Sequence, residues 1–523
     1  MSYKEQKKDD WTLTLIHTND SHGQLLPIEV SSLDISSQLR LCHSFPLYKK
    51  LGGFGYLAEA VNRIRQENDH VLLLEAGDVF CDSEIANITK GSFYIKLMNQ
   101  LGYDAMTPGN HDVDYGIEVL KQRAYEANFP MLAANLLEEE TEAPLLGNPY
   151  MVKEINGFKI SIYGLTYHLT PETTSKKNTS GAKYTFSLET IQSDINRLKN
   201  RGVNCVIILS HLGSDLDRKM AENIEGIDVI VGGHSHEPIP KEIRNGVIIS
   251  QSTPYYTGLG VLRLQFNRSS LVGAEGSIIP IIPENFQPNV NIQRMINEMW
   301  FEHIDRLEQD VGSITSPMIR NYKRESPAET FFGNILRTKT TSDISILPGI
   351  GFGVTIPPGP ITLEQLTNLL PHRSSIYTVQ LKGRDIVAAL EQSIINQIHL
   401  DVEERVGGLI QVTGLAFVYQ YSSKLKNLVL NVRVNNQPIS LDQFYKVVLN
   451  QLMFEGGHKY SSLKKGQHVC KWEQTDIEMV IDWMKDNSAL PVYEEGWSKP
   501  LRIRDAQKFQ KRCFPLKNSN IEE

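Results

Sequence analysis

Gly109-Asn110-His111-Asp112 is the stretch on which the reading of this chain turns. The run before it, Ala105-Met106-Thr107, has the character of a short buried strand, and Pro108-Gly109 breaks that strand and turns the chain. An amide, an imidazole and a carboxylate then follow in succession at a strand end, a rigid place from which side chains still reach solvent. Asn110 offers a neutral oxygen ligand, His111 a nitrogen ligand or general acid, and Asp112 a partner to orient the ring. Four such residues alone also describe a polar turn. The decision rests on whether other segments repeat the arrangement.

They do. Residues 12–17 (TLTLIH) read as a strand running into Thr18-Asn19-Asp20-Ser21-His22-Gly23. Asp20 and His22 alternate, so an extended chain projects both to one side, while His17 reads as a buried structural histidine. The apolar run 71–74 is of parallel-strand type and ends in Glu75-Ala76-Gly77-Asp78. Residues 205–210 end in His211-Leu212-Gly213, and 229–231 end in Gly232-Gly233-His234-Ser235-His236. Carboxylate, amide and imidazole donors without thiolate favour Mn, Zn, Fe or Co. Two such ions about 3.5–4 Å apart are a known solution for phosphoryl-ester hydrolysis, and Asp78 is the natural carboxylate to bridge them.

Helical patterns separate these strands. Residues 52–68 carry Leu57, Ala60, Val61 and Ile64 on one face, 91–101 and 117–128 flank the central turn, and Leu188, Ile191, Ile195 and Leu198 form a further stripe. Alternating strand and helix predict an α/β domain, closed by pairing of 247–250 with 261–266. Residues 27–50 read as an insertion or long surface loop. Pro280, Pro283 and Pro288 punctuate a linker, followed by one long helix with Ile292, Met295, Ile296, Met299, Trp300 and Leu307 on one face. A second domain is marked by β-type runs at 343–347, 376–381, 415–421, 428–434 and 445–449 and a helix at 383–396. The expected organisation is a polar tail 1–10, a catalytic domain 11–280, a linker and helix 281–310, a second domain 311–508 and a polar tail 509–523.

A chain of 523 residues is too long for one core, and 41% hydrophobic with 22% charged residues is an ordinary globular composition. A formal net charge of −8 argues against a nucleic-acid polymer or an anionic membrane as main partner. The cysteines, Cys42, Cys81, Cys205, Cys470 and Cys513, are scattered without a CxxC pair, so neither a disulfide framework nor a structural zinc site is indicated. No apolar leader region and no run near the roughly 18 apolar residues of a membrane span is present, so the expected location is cytoplasmic.

Jointly the motifs Asp20-x-His22, Gly77-Asp78, Gly109-Asn110-His111-Asp112, His211-x-Gly213 and Gly233-His234-x-His236 resemble, in order, those of the calcineurin-like metallophosphoesterases over residues 11–266. The resemblance implies a four-layer αββα sandwich followed by a smaller α+β substrate domain. It implies two divalent ions, one held by Asp20, His22, Asp78 and His236, the other by Asp78, Asn110, His211 and His234. His111 is then no ligand but faces the phosphoryl group, paired with Asp114. In the C-terminal half, Glu329-x-x-x-Gly333-Asn334, Gly359-Pro360-Ile361-Thr362, Leu381-Lys382-Gly383 and Gly456-Gly457 are similar to the C-terminal domain of 5'-nucleotidases. The resemblance implies a small-molecule phosphoester substrate, a nucleotide among the candidates. It also exposes departures: the family arginine aligns with Gly353, one base-stacking phenylalanine with Leu409, and the other with Tyr460. Arg373 in Pro371-His372-Arg373 is a candidate to replace the missing charge, with an ordinary surface arginine as the alternative reading. The expected function is therefore 5'-nucleotidase-like hydrolysis with broad or altered specificity. The alternatives are thiosulfohydrolase-like or cyclic-nucleotide phosphodiesterase activity, and a non-enzymatic scaffold, which the intact ligand set disfavours.

Overall fold

The computed structural model describes residues 10–30, 50–268, 270–421, 428–487 and 490–500. The predicted tails at 1–10 and 509–523 and the insertion at 27–50 fall wholly or largely outside these residues, as do Cys42 and Cys513. The chain divides into two compact units that are not contiguous in sequence. The first joins residues up to Arg320 with Gly351–Ser374 and Thr475–Pro491; the second takes Asn321–Ile350, Ser375–Gln474 and the residues from Val492 onward.

The first unit is built on two sheets. One is five-stranded, in the order Leu271–Pro280, Gly258–Phe266, Trp11–Thr18, Val71–Glu75, Ala105–Met106. The other is six-stranded, in the order Ile239–Arg244, Val247–Gln251, Val229–Gly232, Cys205–Ser210, Phe158–Leu165, Tyr150–Ile155. The continuous apolar runs follow from burial on both faces. Leu13, Leu15, Leu72 and Leu74 meet Ile160, Ile162, Ile207 and Leu209 in the core between the sheets. The alternate residues Ile16 and Leu73 face outward into a second core with Leu57, Val61 and Ile64 of the helix Phe54–Glu67. Ile292 and Ile296 of the helix Val290–Glu302 complete that layer. Behind the six-stranded sheet lie helices Leu188–Asn200 and Ser214–Asn223, the first tied to the sheet by Tyr163 donating to Asp194 at 2.8 Å. The result is the helix–sheet–sheet–helix layering expected of the α/β unit.

Two local expectations are corrected. Residues 247–251 and 258–266 do not pair: Val247–Gln251 lies parallel to Val229–Gly232, whereas Gly258–Phe266 lies antiparallel to Trp11–Thr18 in the opposite sheet. The chain crosses between the sheets here, so adjacency in sequence did not mean adjacency in a hairpin. The helix expected after the proline-rich linker ends at Glu302, and a short helix Ile304–Leu307 follows.

The second unit carries a five-stranded sheet in the order Gln411–Thr413, Ile344–Leu347, Phe444–Asn450, Ser375–Lys382, Gln467–Thr475, and a four-stranded sheet that includes Leu415–Tyr419 and Val429–Val434. Its core joins Ile344, Ile346, Val379, Val447 and Leu449 to Ile386, Leu390 and Ile394 of the helix Gly383–Ile398. Among the described residues no helix is long and apolar enough to cross a membrane.

Candidate active site

The C-terminal ends of the parallel strands in the first unit carry the predicted chemistry. Two groups of side chains converge: Asp20, His22 and His236, and Asp78, His211 and His234, each within 4.8 Å among its own ligand atoms. The backbone is bent to achieve this. Asp20, His22, Asp78, His234 and His236 all have positive φ, between 46° and 70°, a conformation uncommon outside glycine. Asp20 and His22 therefore do not project from an extended chain; left-handed residues aim them. Backbone strain of this kind, of order 1–3 kcal/mol per residue, persists where the surroundings over-determine it.

Those surroundings are a set of hydrogen bonds. Asp112 does not orient His111. Its carboxylate accepts the backbone N–H groups of Asp78, Val79 and Gly109 at 2.8–2.9 Å and that of Phe80 at 3.2 Å, clamping two loops together. The loops approach so closely that a Cβ on Gly109 would lie 2.1 Å from Asp78 Oδ1, and one on Gly77 would lie 2.6 Å from the Gly109 nitrogen. Asp112→Asn turns an amide NH₂ toward backbone donors. We expect it to cost about 1–3 kcal/mol, read from the denaturation midpoint, with activity falling alongside.

Two of the imidazoles, those of His211 and His22, are also oriented by hydrogen bonds. His211 Nδ1–H donates to the Ala76 carbonyl at 2.5 Å, leaving Nε2 3.1 Å from Asp78 Oδ2 without hydrogen-bond alignment. His22 Nδ1 meets Asp82 at 2.6 Å, leaving Nε2 facing His236 Nε2 at 3.0 Å. Asn110 Oδ1 is buried with no partner. Lone pairs turned toward common points, with the second ring nitrogen held by a carbonyl or carboxylate, are the pattern of metal ligands. The residues present fit divalent ions.

His111 stands apart. Its Nδ1 pairs with Asp114 Oδ2 at 2.9 Å, and Asp114 Oδ1 accepts from Thr174 at 2.9 Å. Burial disfavours its charged form, but the carboxylates of Asp114, Asp82 and Asp78 outweigh that and push its pKa up to about 10. His17 lies on the sheet interior against Ser250 at 3.0 Å, and burial takes its pKa down to about 3.

The calcineurin-like phosphoesterase model matches residues 13–238, and the 5'-nucleotidase C-terminal domain model matches residues 306–465. The chain belongs to the calcineurin-like phosphoesterases, with a 5'-nucleotidase C-terminal domain. It is a metal-dependent phosphoesterase. The 5'-nucleotidase of Bos taurus is 29% identical, the alignment covering 93% of this chain and 90% of that protein. The trifunctional nucleotide phosphoesterase YfkN of Bacillus subtilis is 27% identical over 92% of this chain, which spans only 35% of that protein. The crystal structure of a 5'-nucleotidase precursor from Thermus thermophilus superposes with a TM-score of 0.84 at 27% identity, over 94% of this chain and 100% of that one. The sulfate thiohydrolase SoxB of Thermus thermophilus shares the fold, with a TM-score of 0.84 at 19% identity over 95% of this chain and 98% of that one.

The four residues expected at the substrate differ in their surroundings. Leu409 and Tyr460 are fully buried in the apolar core of the second unit. Gly353 has φ +115°, and a Cβ there would lie 2.8 Å from Leu369 and 3.0 Å from the Arg320 guanidinium. Arg320 in turn donates to the carbonyls of Phe352 and Leu369 at 2.9 and 2.6 Å. A side chain at position 353 would strain the left-handed backbone and displace the Leu369 and Arg320 side chains. Arg373 ion-pairs with buried Glu84 at 2.6 Å, beside Arg306 on the same carboxylate and Thr367 at 3.1 Å. It anchors its segment within the first unit.

That segment brings two residues the sequence reading passed over. Phe352 stacks on His22 with ring centroids 4.9 Å apart and meets His111 edge-on at 4.5 Å. His372 lies parallel to His111 at 5.4 Å. His372 stands beside the arginine that drew attention in Pro371-His372-Arg373, and an imidazole in a loop was the available signal. Asp82, the partner of His22, was likewise missed, although it follows Asp78 in the same loop.

Proposed function

We propose that this phosphoesterase hydrolyses nucleotide and other small phosphoesters with relaxed specificity, using two divalent ions bridged by Asp78. The carrying observation is the pair of ligand groups, Asp20/His22/His236 and Asp78/His211/His234, with Asn110 Oδ1 unpartnered and the His111–Asp114 pair beside them. Bound divalent ions supply Lewis-acid polarisation of phosphoryl oxygens and a water acidic enough to attack. The chain's own residues do the rest. Asp112 and the left-handed backbone hold the ligands in place before substrate arrives. His111 carries a proton at Nε2 and gives it to the departing ester oxygen as the P–O bond breaks.

Relaxed specificity is supported by what surrounds the reading of a base. Glycine at 353 supplies none of the bidentate contact an arginine would make to a phosphate or carboxylate. Leu409 offers no aromatic face, and the ring of Tyr460 is enclosed by its own core. One lost stacking platform is worth about 1–3 kcal/mol, roughly tenfold in nucleotide affinity. With manganese added, kcat/KM for AMP is expected within about tenfold of that for p-nitrophenyl phosphate. A preference for AMP of several orders of magnitude overturns the specificity reading. Hydrolysis of a thiosulfonate in place of both esters overturns the phosphoester reading itself.

A further inference from the structure

Asp114 serves two histidines. The oxygen that receives His111 Nδ1 at 2.9 Å, Oδ2, lies 3.4 Å from His372 Nδ1. The two rings are nearly parallel, 9° apart, with centroids at 5.4 Å. Phe352 stands edge-on to both, at 4.5 and 5.9 Å, and closes the angle between them. His372 is held where it is by its neighbour: Arg373 adopts a left-handed φ of 44° and pins to Glu84. The side chains of His111 and Asp114 are 10% and 11% exposed, that of His372 33%. His372 is thus the outermost member of a row of three groups, imidazole–carboxylate–imidazole, and the most open of them to solvent.

We propose that His372 is a positioning residue for the phosphoesterase reaction, fixing Asp114 and the plane of the His111 ring so that His111 Nε2 meets the leaving oxygen. The inference rests on the reading of His111 as the proton donor. An imidazole ring can swing about χ2 while keeping a single hydrogen bond to its carboxylate. A parallel ring on one face, an aromatic edge on another and a second imidazole nitrogen 3.4 Å from the shared oxygen restrict that freedom. Partners of this kind typically change activity by about 10–100-fold when removed.

The test uses the full chain, loaded with manganese, and two esters. p-Nitrophenyl phosphate has a leaving group that departs as a stable anion, whereas AMP releases an alkoxide that needs a proton. His372→Phe keeps a ring in the stack and removes the nitrogen; His372→Asn keeps a polar N–H and removes the ring. We expect His372→Phe to lower kcat about tenfold on AMP, and less than about threefold on p-nitrophenyl phosphate, with KM and bound metal unchanged. His372→Asn should recover part of the loss. In a His111→Ala background, His372→Phe should cause no further loss, since coupled groups are not additive. Equal losses on both esters, an undiminished loss in the His111→Ala background, or full activity of His372→Phe would each overturn the proposal. If His111→Ala alone leaves AMP turnover intact, the reading of His111 fails and this inference fails with it. If only the His372 variants are silent, the reading of His111 stands.

Discussion

Asp78→Asn is expected to abolish turnover and to leave the protein with fewer than two bound ions per chain. Asp78 belongs to one ligand group and is close enough to Asp20 of the other for the two carboxylates to interact electrostatically. Its Oδ1 accepts the His111 backbone N–H at 2.7 Å, and Oδ2 lies 3.1 Å from His211 Nε2. Burial raises its pKa, but the neighbouring His211 and His111 imidazoles more than reverse this, so the group is ionised well below the usual carboxylate range. A neutral amide of the same shape keeps the loop geometry and removes the charge that two cations would share. Losing one such electrostatic contact is worth several kcal/mol, and about 1.36 kcal/mol is a factor of ten in rate. A fall in kcat of about 10³-fold or more follows. Elemental analysis of the purified variant, alongside kcat, checks it. A variant that keeps two ions and full activity removes Asp78 from the bridging role.

Much of this architecture could be read from the sequence because its causes are local. Runs such as Val71–Glu75 and Cys205–Ser210 are apolar up to their last residue because they are buried on both faces, and each is followed directly by the residues it presents. What could not be read has non-local causes. Gly258–Phe266 is as strand-like as Val247–Gln251, and neighbouring strands usually pair. Only the passage between the sheets, through left-handed Tyr255 and Tyr256, separates them. Phe352 and His372 come from a segment far along the chain, and no periodicity marks them. They reach His22 and His111 because Gly351–Ser374 packs with the first unit, held there in part by Arg373 on Glu84. The burial of Leu409 and Tyr460 in the core of the second unit has the same non-local origin: a motif position says which residue is present, and the packing decides what that residue touches.

His111→Ala should separate catalysis from metal binding. His111 lies next to the proposed ligand Asn110 in sequence, yet its Nδ1 is engaged by Asp114 and its ring is flanked by Phe352 and His372. Removing a general acid typically costs about 10²–10⁴-fold in rate. The loss should appear in kcat for poor leaving groups, with two ions still bound. Loss of metal from a folded His111→Ala protein would make His111 a ligand instead. The pH profile gives an independent check. The folded pKa is raised to about 10 against an ordinary value of 6.5, so the imidazolium persists through neutrality and is lost as pH climbs toward that value. Cations held by Asp78 and Asn110, as proposed, would repel the imidazolium and draw its pKa down, so the alkaline fall in kcat should come at or below about pH 10. By linkage, the protonated ring stabilises the fold most fully below about pH 6.5, and this contribution fades as pH rises through the folded value. His111→Ala should therefore lose the alkaline limb on AMP while the residual rate runs flat across it. An unchanged limb would assign that titration to another group and take the proton-donor role away from His111.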